Sequence, residues 1–281
     1  MVSNVERFFG FMQERHTIYE KRKHGAPFPW TNDEILQKYS FCNVYRELDK
    51  VTVWIRENWK EPYELHPNLP FAMAVARQIN WPETLEEIGF PEEWEPERVK
   101  KIMQDRMDRG EKVYTGAYML TGTLGGTKVE QTVDKILTPL YNNPPEIIWD
   151  SLEKTWKNYL PYAGFSGFMA YEVVTDLRFT SHLCFAKDIN TWANAGPGAK
   201  RGLNRIHGRS LNQSIKTKDS VREMKELLDV ADNYYNRGIY SGYQQPFEMR
   251  EIEHCLCEFD KYERVRLGEG KPRAKYKYKG E

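Results

Sequence analysis

The segment Gly164–Gly167, with the sequence Gly-Phe-Ser-Gly, interrupts an apolar stretch and constrains the fold more than any other part of the chain. A helical pattern precedes it over residues 147–160. After it, apolar residues recur at helical spacing, at Phe168, Tyr171, Val174 and Leu177. The pattern therefore predicts two helices joined by a tight turn of small residues.

A turn of this kind has two interpretations. Glycine lets the backbone come close to a ligand, and the N–H groups at the start of a helix attract anions. Gly164, Ser166 and Gly167 are therefore candidates for contact with a DNA phosphate. The alternative is an ordinary packing joint between two helices, which the motif taken alone favours.

Asp188 follows Ser166 by 22 residues and stands at the start of a Gly/Pro-rich loop. This order of turn, helix and carboxylate resembles the helix-hairpin-helix DNA glycosylases. The resemblance implies that the turn holds the DNA backbone and that Asp188 supports the loss of a base.

The length and composition bound the architecture. The chain has 281 residues, of which 40% are hydrophobic, so it can bury one large core or two small ones. We predict a mainly α fold of two helical lobes, residues 1–143 and 144–263, followed by a basic tail at 264–281. The formal net charge is zero, so a surface that binds DNA must come from local clustering of charge.

The clearest cluster of positive charge lies in residues 200–210, which no acidic residue interrupts. Its lysine and arginine residues are Lys200, Arg201, Arg205 and Arg209. Contact with DNA phosphates is the favoured interpretation, because such contacts are made largely by lysine and arginine. The alternative is a solvated helix end.

The pattern of residues 41–59 predicts an amphipathic helix. Asn43, Arg46 and Asp49 fall on one side of that helix, each three residues after the last. They form either a solvated face or a set of hydrogen-bonding groups that faces a pocket. Our candidates for a pocket that holds a DNA base are Asn43, Arg46, Asp49, Tyr118 and Trp192.

The last predicted helix covers residues 247–262 and carries Glu251, His254 and Glu258 on one side. Such a set on one helix is usually structural. Of the functional alternatives, an acid–base pair of His254 and Glu258 is favoured over a metal site, because a neighbouring carboxylate tunes an imidazole.

The four cysteines contain no C-x-x-C pair, which predicts reduced thiols and argues against a zinc site. The start of the chain does not resemble a signal peptide, and no apolar run approaches the roughly twenty residues that span a bilayer. We expect a monomer in the cytoplasm of a bacterial host cell, without membrane contact, metal or cofactor.

Several strings resemble a known family, and together they cover about residues 5–273. The strings are ERHTIYEKRKHGAPFPWT, CNVYRELDKVT, YEVVTDLR, GPGAKRGLNR and EHCLCEFDKYER. The family is the phage and bacterial DNA base hypermodification group, described as alpha-glutamyl/putrescinyl thymine pyrophosphorylases, with amino acid:DNA transferases as relatives. The resemblance implies a fold like that of the glycosylases and a modified base in double-stranded DNA as the target.

Two features depart from the glycosylase pattern. The turn reads Gly-Phe-Ser-Gly where Gly-x-Gly is usual, and the Gly/Pro-rich loop follows Asp188 instead of preceding it. Lyase-type glycosylases carry a lysine soon after the turn, whereas positions 168–170 here are Phe-Met-Ala. If the chain excises bases, we expect no Schiff base and an abasic product.

Three functions are consistent with these residues. The first is a DNA glycosylase, active in anti-phage defence, that flips out and excises a bulky or hypermodified base, with Asp188 stabilising positive charge on the sugar. The second is a transferase that joins an amine or amino acid to an activated 5-substituted pyrimidine, with His254 and Glu258 as the base. The third is a non-catalytic reader of modified DNA, whose function Asp188→Asn would leave intact.

Overall fold

The computed structural model describes residues 3–115, 124–235 and 247–278. These residues form helices and loops, with one isolated antiparallel bridge between Tyr39 and Lys275 and no strand. The predicted mainly α fold is therefore confirmed. The helices are α1 (Asn4–Lys23), α2 (Glu34–Lys38), α3 (Lys50–Ile55), α4 (Leu69–Ile79), α5 (Pro82–Ile88), α6 (Pro96–Asp108), α7 (Lys128–Glu130), α8 (Thr138–Asn142), α9 (Leu152–Tyr159), α10 (Gly167–Leu177), α11 (Pro197–Ile206), α12 (Thr217–Val230) and α13 (Met249–Arg266).

Two π-helical turns adjoin these helices. Helix α3 continues as a π-helical turn over Arg56–Lys60, and α7 and α8 are joined by another over Gln131–Leu137. Short 3-10 turns occur at Arg46–Leu48 and Ala231–Asn233.

The spacing of Ser3 and Glu6 predicts a capping box at the start of the first helix, and the structure confirms it. Ser3 is the N-cap, and its hydroxyl accepts a hydrogen bond from the Glu6 N–H group at 3.1 Å. The Glu6 carboxylate in turn accepts from the Ser3 N–H group at 2.5 Å. This capping box satisfies two of the backbone donors that a helix start leaves open.

Contacts between Cα atoms divide the chain into two compact units. The first unit combines Met1–Asp49 with Ile189–Glu281, and the second is Lys50–Asp188. Both ends of the chain thus belong to one unit. The lobes predicted at residues 1–143 and 144–263 have other limits, and that division remains a prediction.

The core of the first unit is built on α13. Its buried Phe259 lies 5.5 Å from Phe8 of α1, measured between ring centroids, with the two rings edge to face. Helix α11 packs so closely on α13 that a Cβ atom at Gly202 would overlap the carbonyl group of Leu256. These contacts fix α13 and the side chains that it carries.

The core of the second unit contains a buried ion pair between α4 and α10. Arg77 donates to both carboxylate oxygens of Asp176, at 2.5 and 2.6 Å, and both side chains are almost fully buried. Arg77 also donates to the hydroxyl of Thr52 at 3.1 Å. The paired hydrogen bonds fix the position of α4 on α10.

Candidate functional site

The segment Phe41–Asp49 does not form the predicted helix. Only Arg46–Leu48 makes a short 3-10 turn, and Asp49 has an extended backbone. The Asp49 carboxylate accepts a hydrogen bond from the Asn43 N–H group at 2.8 Å, and the Asn43 side-chain amide donates to the Leu48 carbonyl at 2.8 Å. These side-chain bonds replace the backbone bonds of a helix, which is how Asn and Asp commonly disrupt one.

This loop brings Cys42 and Asp49 beside His254, which lies on α13. The Cys42 Sγ atom, a carboxylate oxygen of Asp49 and a ring nitrogen of His254 all lie within 4.8 Å of one another. His254 is buried, whereas Cys42 and Asp49 are partly exposed. We call these three residues the Cys–Asp–His cluster.

The hydrogen bond of His254 fixes its tautomer. Its Nε2 atom lies 3.2 Å from the carbonyl oxygen of Asn43. A carbonyl oxygen only accepts, so Nε2 carries the proton and Nδ1 carries the lone pair. Burial lowers the pKa of His254 well below 6.5, and the charges of Arg46 and Arg250 lower it further. The imidazole is therefore neutral near pH 7.

Burial also shifts the pKa values of the two other members of the cluster. Burial raises the pKa of Asp49, while Arg46 opposes that shift. Burial raises the pKa of the Cys42 thiol well above its usual value, and the negative charge of Glu258 raises it further. Burial thus raises the pKa of both acids in the cluster.

Charged side chains surround the cluster. Arg15 donates to the Asn43 side-chain oxygen at 2.7 Å and to the Phe41 carbonyl at 3.2 Å. The Glu258 carboxylate accepts from the Cys42 N–H group at 2.9 Å and from the Lys261 ammonium group at 2.9 Å. The neutral imidazole of His254 can exchange protons, and the arginines around the cluster can attract an anionic group.

The structure brings together five of the predicted site residues, namely Asn43, Arg46, Asp49, His254 and Glu258. The predicted pairing of the last two differs in detail. In the described part of the chain His254 bonds to the Asn43 carbonyl, and Glu258 bonds to Cys42 and Lys261. Their roles in a pocket or in acid–base chemistry remain predictions.

Cys42 and Arg15 were not predicted as site residues. The sequence shows no spacing that would indicate them, because the site joins segments more than two hundred positions apart. Among the predicted pocket residues, Trp192 is buried in the first unit, and Tyr118 lies outside the described residues.

Asp188 has a structural position at the start of α9. Its carboxylate accepts from the Ser151 hydroxyl at 2.8 Å and from the backbone N–H groups of Leu152 and Glu153 at 2.8 and 3.0 Å. These three bonds satisfy donors that the helix start leaves open, and the negative charge suits the positive end of the helix dipole.

The turn between α9 and α10 contains the predicted phosphate contacts. Gly164 has φ of +77°, and a Cβ atom there would overlap the side chain of Ile136. Gly164 therefore has a packing reason to be glycine. Ser166 is the exposed N-cap of α10, and the carbonyl of Gly167 accepts from the Trp156 indole at 2.8 Å. Contact of this turn with DNA remains a prediction.

The basic segment 200–210 is partly neutralised by acids from other parts of the first unit. Asp260 binds Arg201 and Arg205, each at 2.8 Å. Glu223 binds Arg209 at 2.5 Å. The buried side chain of Arg205 is thus poorly placed for a phosphate.

Lys200 and the partly exposed Arg201 keep a better position for an external anion. Together with Pro197, Asn204 and residues 211–213 they line a cavity of about 190 Å³. Contact of these residues with DNA remains a prediction.

Comparison with known proteins gives two matches. The family described as "5-hmdU DNA kinase, helical domain" matches residues 3–272. A protein named 5-hmdU DNA kinase, from Bacillus phage SP10, is 27% identical over 301 residues, covering 92% of this chain and 44% of the relative. The chain therefore spans less than half the length of that relative. No solved structure matches significantly.

These matches support the predicted link to DNA base hypermodification and overturn the predicted N-glycosylase. A kinase transfers a phosphoryl group and leaves the glycosidic bond intact, so the relative's name contradicts base excision. The hydrogen bonds of Asp188 agree with this correction, because they account for its carboxylate as a helix cap.

In the described part of the chain, no helix has the length and apolar character needed to cross a bilayer.

Proposed function

The chain belongs to the family of the helical domain of 5-hmdU DNA kinases, and we propose that it acts on DNA that contains 5-hydroxymethyl-2′-deoxyuridine. In this proposal it belongs to a transferase that modifies the hydroxymethyl group and leaves the glycosidic bond intact. The observation that carries the proposal is the convergence of Cys42, Asp49 and His254 in one partly exposed site of a chain from this family.

The chemistry of the substituent supports a transferase. The 5-substituent of a thymine-like base projects into the major groove, where a protein can reach it in a paired duplex. A hydroxymethyl group is a weak nucleophile, and a base that removes its proton makes it reactive. The neutral His254, with a lone pair on Nδ1, is our candidate for that base.

The charges around the cluster support an anionic group as the second participant. Arg15 and Arg46 both act electrostatically on Asp49. Guanidinium groups bind phosphate oxygens well and stabilise charge that builds up during phosphoryl transfer. We assign these arginines to the phosphoryl group that is transferred or released, and Lys200 and Arg201 to the DNA backbone.

A second candidate reaction takes place at the exocyclic carbon of a phosphorylated 5-hydroxymethyl group, where an amine displaces the phosphate. The resemblance of strings such as CNVYRELDKVT to the amino acid:DNA transferases favours it. In this reaction the amine nitrogen forms a bond to the exocyclic carbon, the bond from that carbon to the phosphate oxygen breaks, and His254 takes the amine proton. The phosphate leaves with the electron pair of the broken bond.

A substrate panel tests the proposal. Duplexes that contain thymine or 5-hydroxymethyluracil are incubated with the protein and ATP, and duplexes with a phosphorylated 5-hydroxymethyl group are incubated with a mixture of amino acids. The DNA is digested to nucleosides and analysed by mass spectrometry. We expect a nucleoside of changed mass from the modified duplexes alone: one phosphoryl group is added in the presence of ATP, or the phosphate is replaced by an amino acid. Abasic sites, or the same result with thymine, would overturn the proposal.

A further inference from the structure

The Cys–Asp–His cluster combines a thiol, a carboxylate and an imidazole, which are the three side-chain ligands of zinc in proteins. We propose that Cys42, Asp49 and His254 bind one divalent transition-metal ion of the zinc class. Three protein ligands with an open fourth position are typical of catalytic zinc sites, whereas structural sites use four.

The spacing of the ligand atoms suits this proposal. Ligands about 2.0–2.3 Å from a tetrahedral zinc ion lie roughly 3.5 Å from one another. The three atoms here lie within 4.8 Å of one another. Binding of an ion would therefore draw the three atoms closer together.

Hydrogen bonds from outside the cluster hold its two segments in place. His254 donates its Nε2 proton to the Asn43 carbonyl, and Asp49 accepts from the Asn43 N–H group through Oδ1. The Cys42 N–H group donates to Glu258. Histidine ligands of metals commonly donate their second nitrogen to a carbonyl in this way. The proposal assigns Nδ1 to the ion, so the role of His254 as a proton acceptor applies only to the site without the ion.

A metal ion would give the Cys42 thiol a role in the cluster, because a cysteine thiolate is a common ligand of zinc. A bound divalent ion removes the thiol proton outright and stabilises the Asp49 carboxylate. Binding therefore releases the thiol proton, and the two anions neutralise the ion.

The arginines near the cluster disfavour a cation, but they favour an anion bound to it. Arg15 and Arg46 repel a cation, and Glu258 offsets part of that repulsion. The same arginines favour an anion at the open fourth position. If the proposed function is right, that anion is the phosphoryl group at the 5-hydroxymethyl carbon, whose charge the metal would stabilise. This role rests on the proposed function, whereas binding of the ion does not.

Cobalt is the probe that tests binding without DNA. The full chain is treated with a chelator, exchanged into clean buffer and titrated with Co²⁺ while its absorption spectrum is recorded. We expect one equivalent to bind, with the near-ultraviolet band that a thiolate–cobalt bond produces. Zn²⁺ should displace the cobalt and raise the melting temperature of the protein, because a ligand that binds the folded state stabilises it.

Three variants and one control locate the ion. Cys42→Ser should abolish the thiolate band, and Asp49→Asn and His254→Gln should each weaken binding at least tenfold. Cys184→Ser is the matched control, because Cys184 lies in the other unit and is not a ligand in the proposal. Its spectrum should equal that of the wild type. Circular dichroism of every variant shows that the fold is retained.

The proposal is overturned if no near-stoichiometric binding occurs, or if Cys42→Ser retains the band. If Cys42→Ser fails to fold, then Asp49→Asn decides, because its amide oxygen can still accept from Asn43 while its affinity for the metal is reduced. A failure of cobalt binding together with conversion of modified DNA would refute the metal site and leave the proposed function standing.

Discussion

The Nε2–H group of His254 donates a hydrogen bond to the Asn43 carbonyl oxygen at 3.2 Å. This bond joins the last helix to the loop that carries Cys42 and Asp49, so it connects segments from the two ends of the chain. It also keeps Nδ1 unprotonated. The candidate site depends on this contact, and the predictions below test the structure around it and the fold that supports it.

The close packing of α11 on α13 predicts a large effect at Gly202. A Cβ atom there would overlap the Leu256 carbonyl, so Gly202→Ala should lower the free energy of unfolding by about 1–3 kcal/mol. Gly10→Ala is the matched control, since Gly10 lies inside α1 with open space around it. It should stabilise the protein by about 0.5–1 kcal/mol. Urea denaturation measures both, and equal effects of the two changes would contradict the described packing.

The ion pair between Arg77 and Asp176 predicts a strong dependence on both partners. Asp176→Asn removes the carboxylate that binds Arg77 in two places and leaves it the more distant Glu172, at 4.0 Å, so it should lower the free energy of unfolding by about 3–5 kcal/mol. The double change Arg77→Met with Asp176→Leu should cost less than the sum of the two single changes, because it removes both members of the pair. Denaturant titration of the three variants measures this coupling. Additive losses would show that the two side chains do not act as a pair.

The position of Asp188 predicts a loss of stability and no loss of chemistry. Asp188→Ala removes three hydrogen bonds from the start of α9, and should cost about 1–2 kcal/mol of unfolding free energy. Modification of 5-hydroxymethyluracil DNA should continue at a temperature where the variant is folded. A variant that keeps wild-type stability but loses all activity would show that Asp188 takes part in the reaction.

The buried His16 predicts a change of stability with pH. Burial and the charge of Arg15 lower its pKa from 6.5 to about 4. Between these two pH values His16 is protonated in the unfolded chain and neutral in the folded chain. Its contribution to the free energy of unfolding therefore falls as the pH falls. The expected slope is up to about 1.4 kcal/mol per pH unit. Denaturation of the wild type and of His16→Gln across this range measures it, and parallel curves would exclude a shifted pKa.

Sequence patterns predicted those parts of the fold that depend on neighbouring residues. The capping box of Ser3 and Glu6 and the helical character of α10 and α13 follow from spacing over a few positions. Residues 41–49 have the periodicity of a helix but form a loop, because the side chains of Asn43 and Asp49 make the hydrogen bonds that a helix backbone would make.

Contacts between distant segments could not be read from one sequence. The basic segment at 200–210 contains no acid of its own, yet Asp260 and Glu223 neutralise part of its charge. Cys42 gave no signal, since its neighbour His254 lies on the last helix. The glycosylase prediction was wrong, as the name of the similar kinase shows. From one sequence, a carboxylate at a plausible spacing from a turn cannot be told from one that caps a helix.

The central claim is that the Cys–Asp–His cluster acts on 5-hydroxymethyl-2′-deoxyuridine in DNA. The most direct test is mass spectrometry of nucleosides from modified duplexes after incubation with the wild type, Asp49→Asn, His254→Gln and the control Cys184→Ser. We predict a heavier nucleoside with the wild type and with Cys184→Ser, and a rate at least about 100-fold lower with the two cluster variants. Equal conversion by all four proteins, or abasic sites in place of a heavier nucleoside, would contradict the claim.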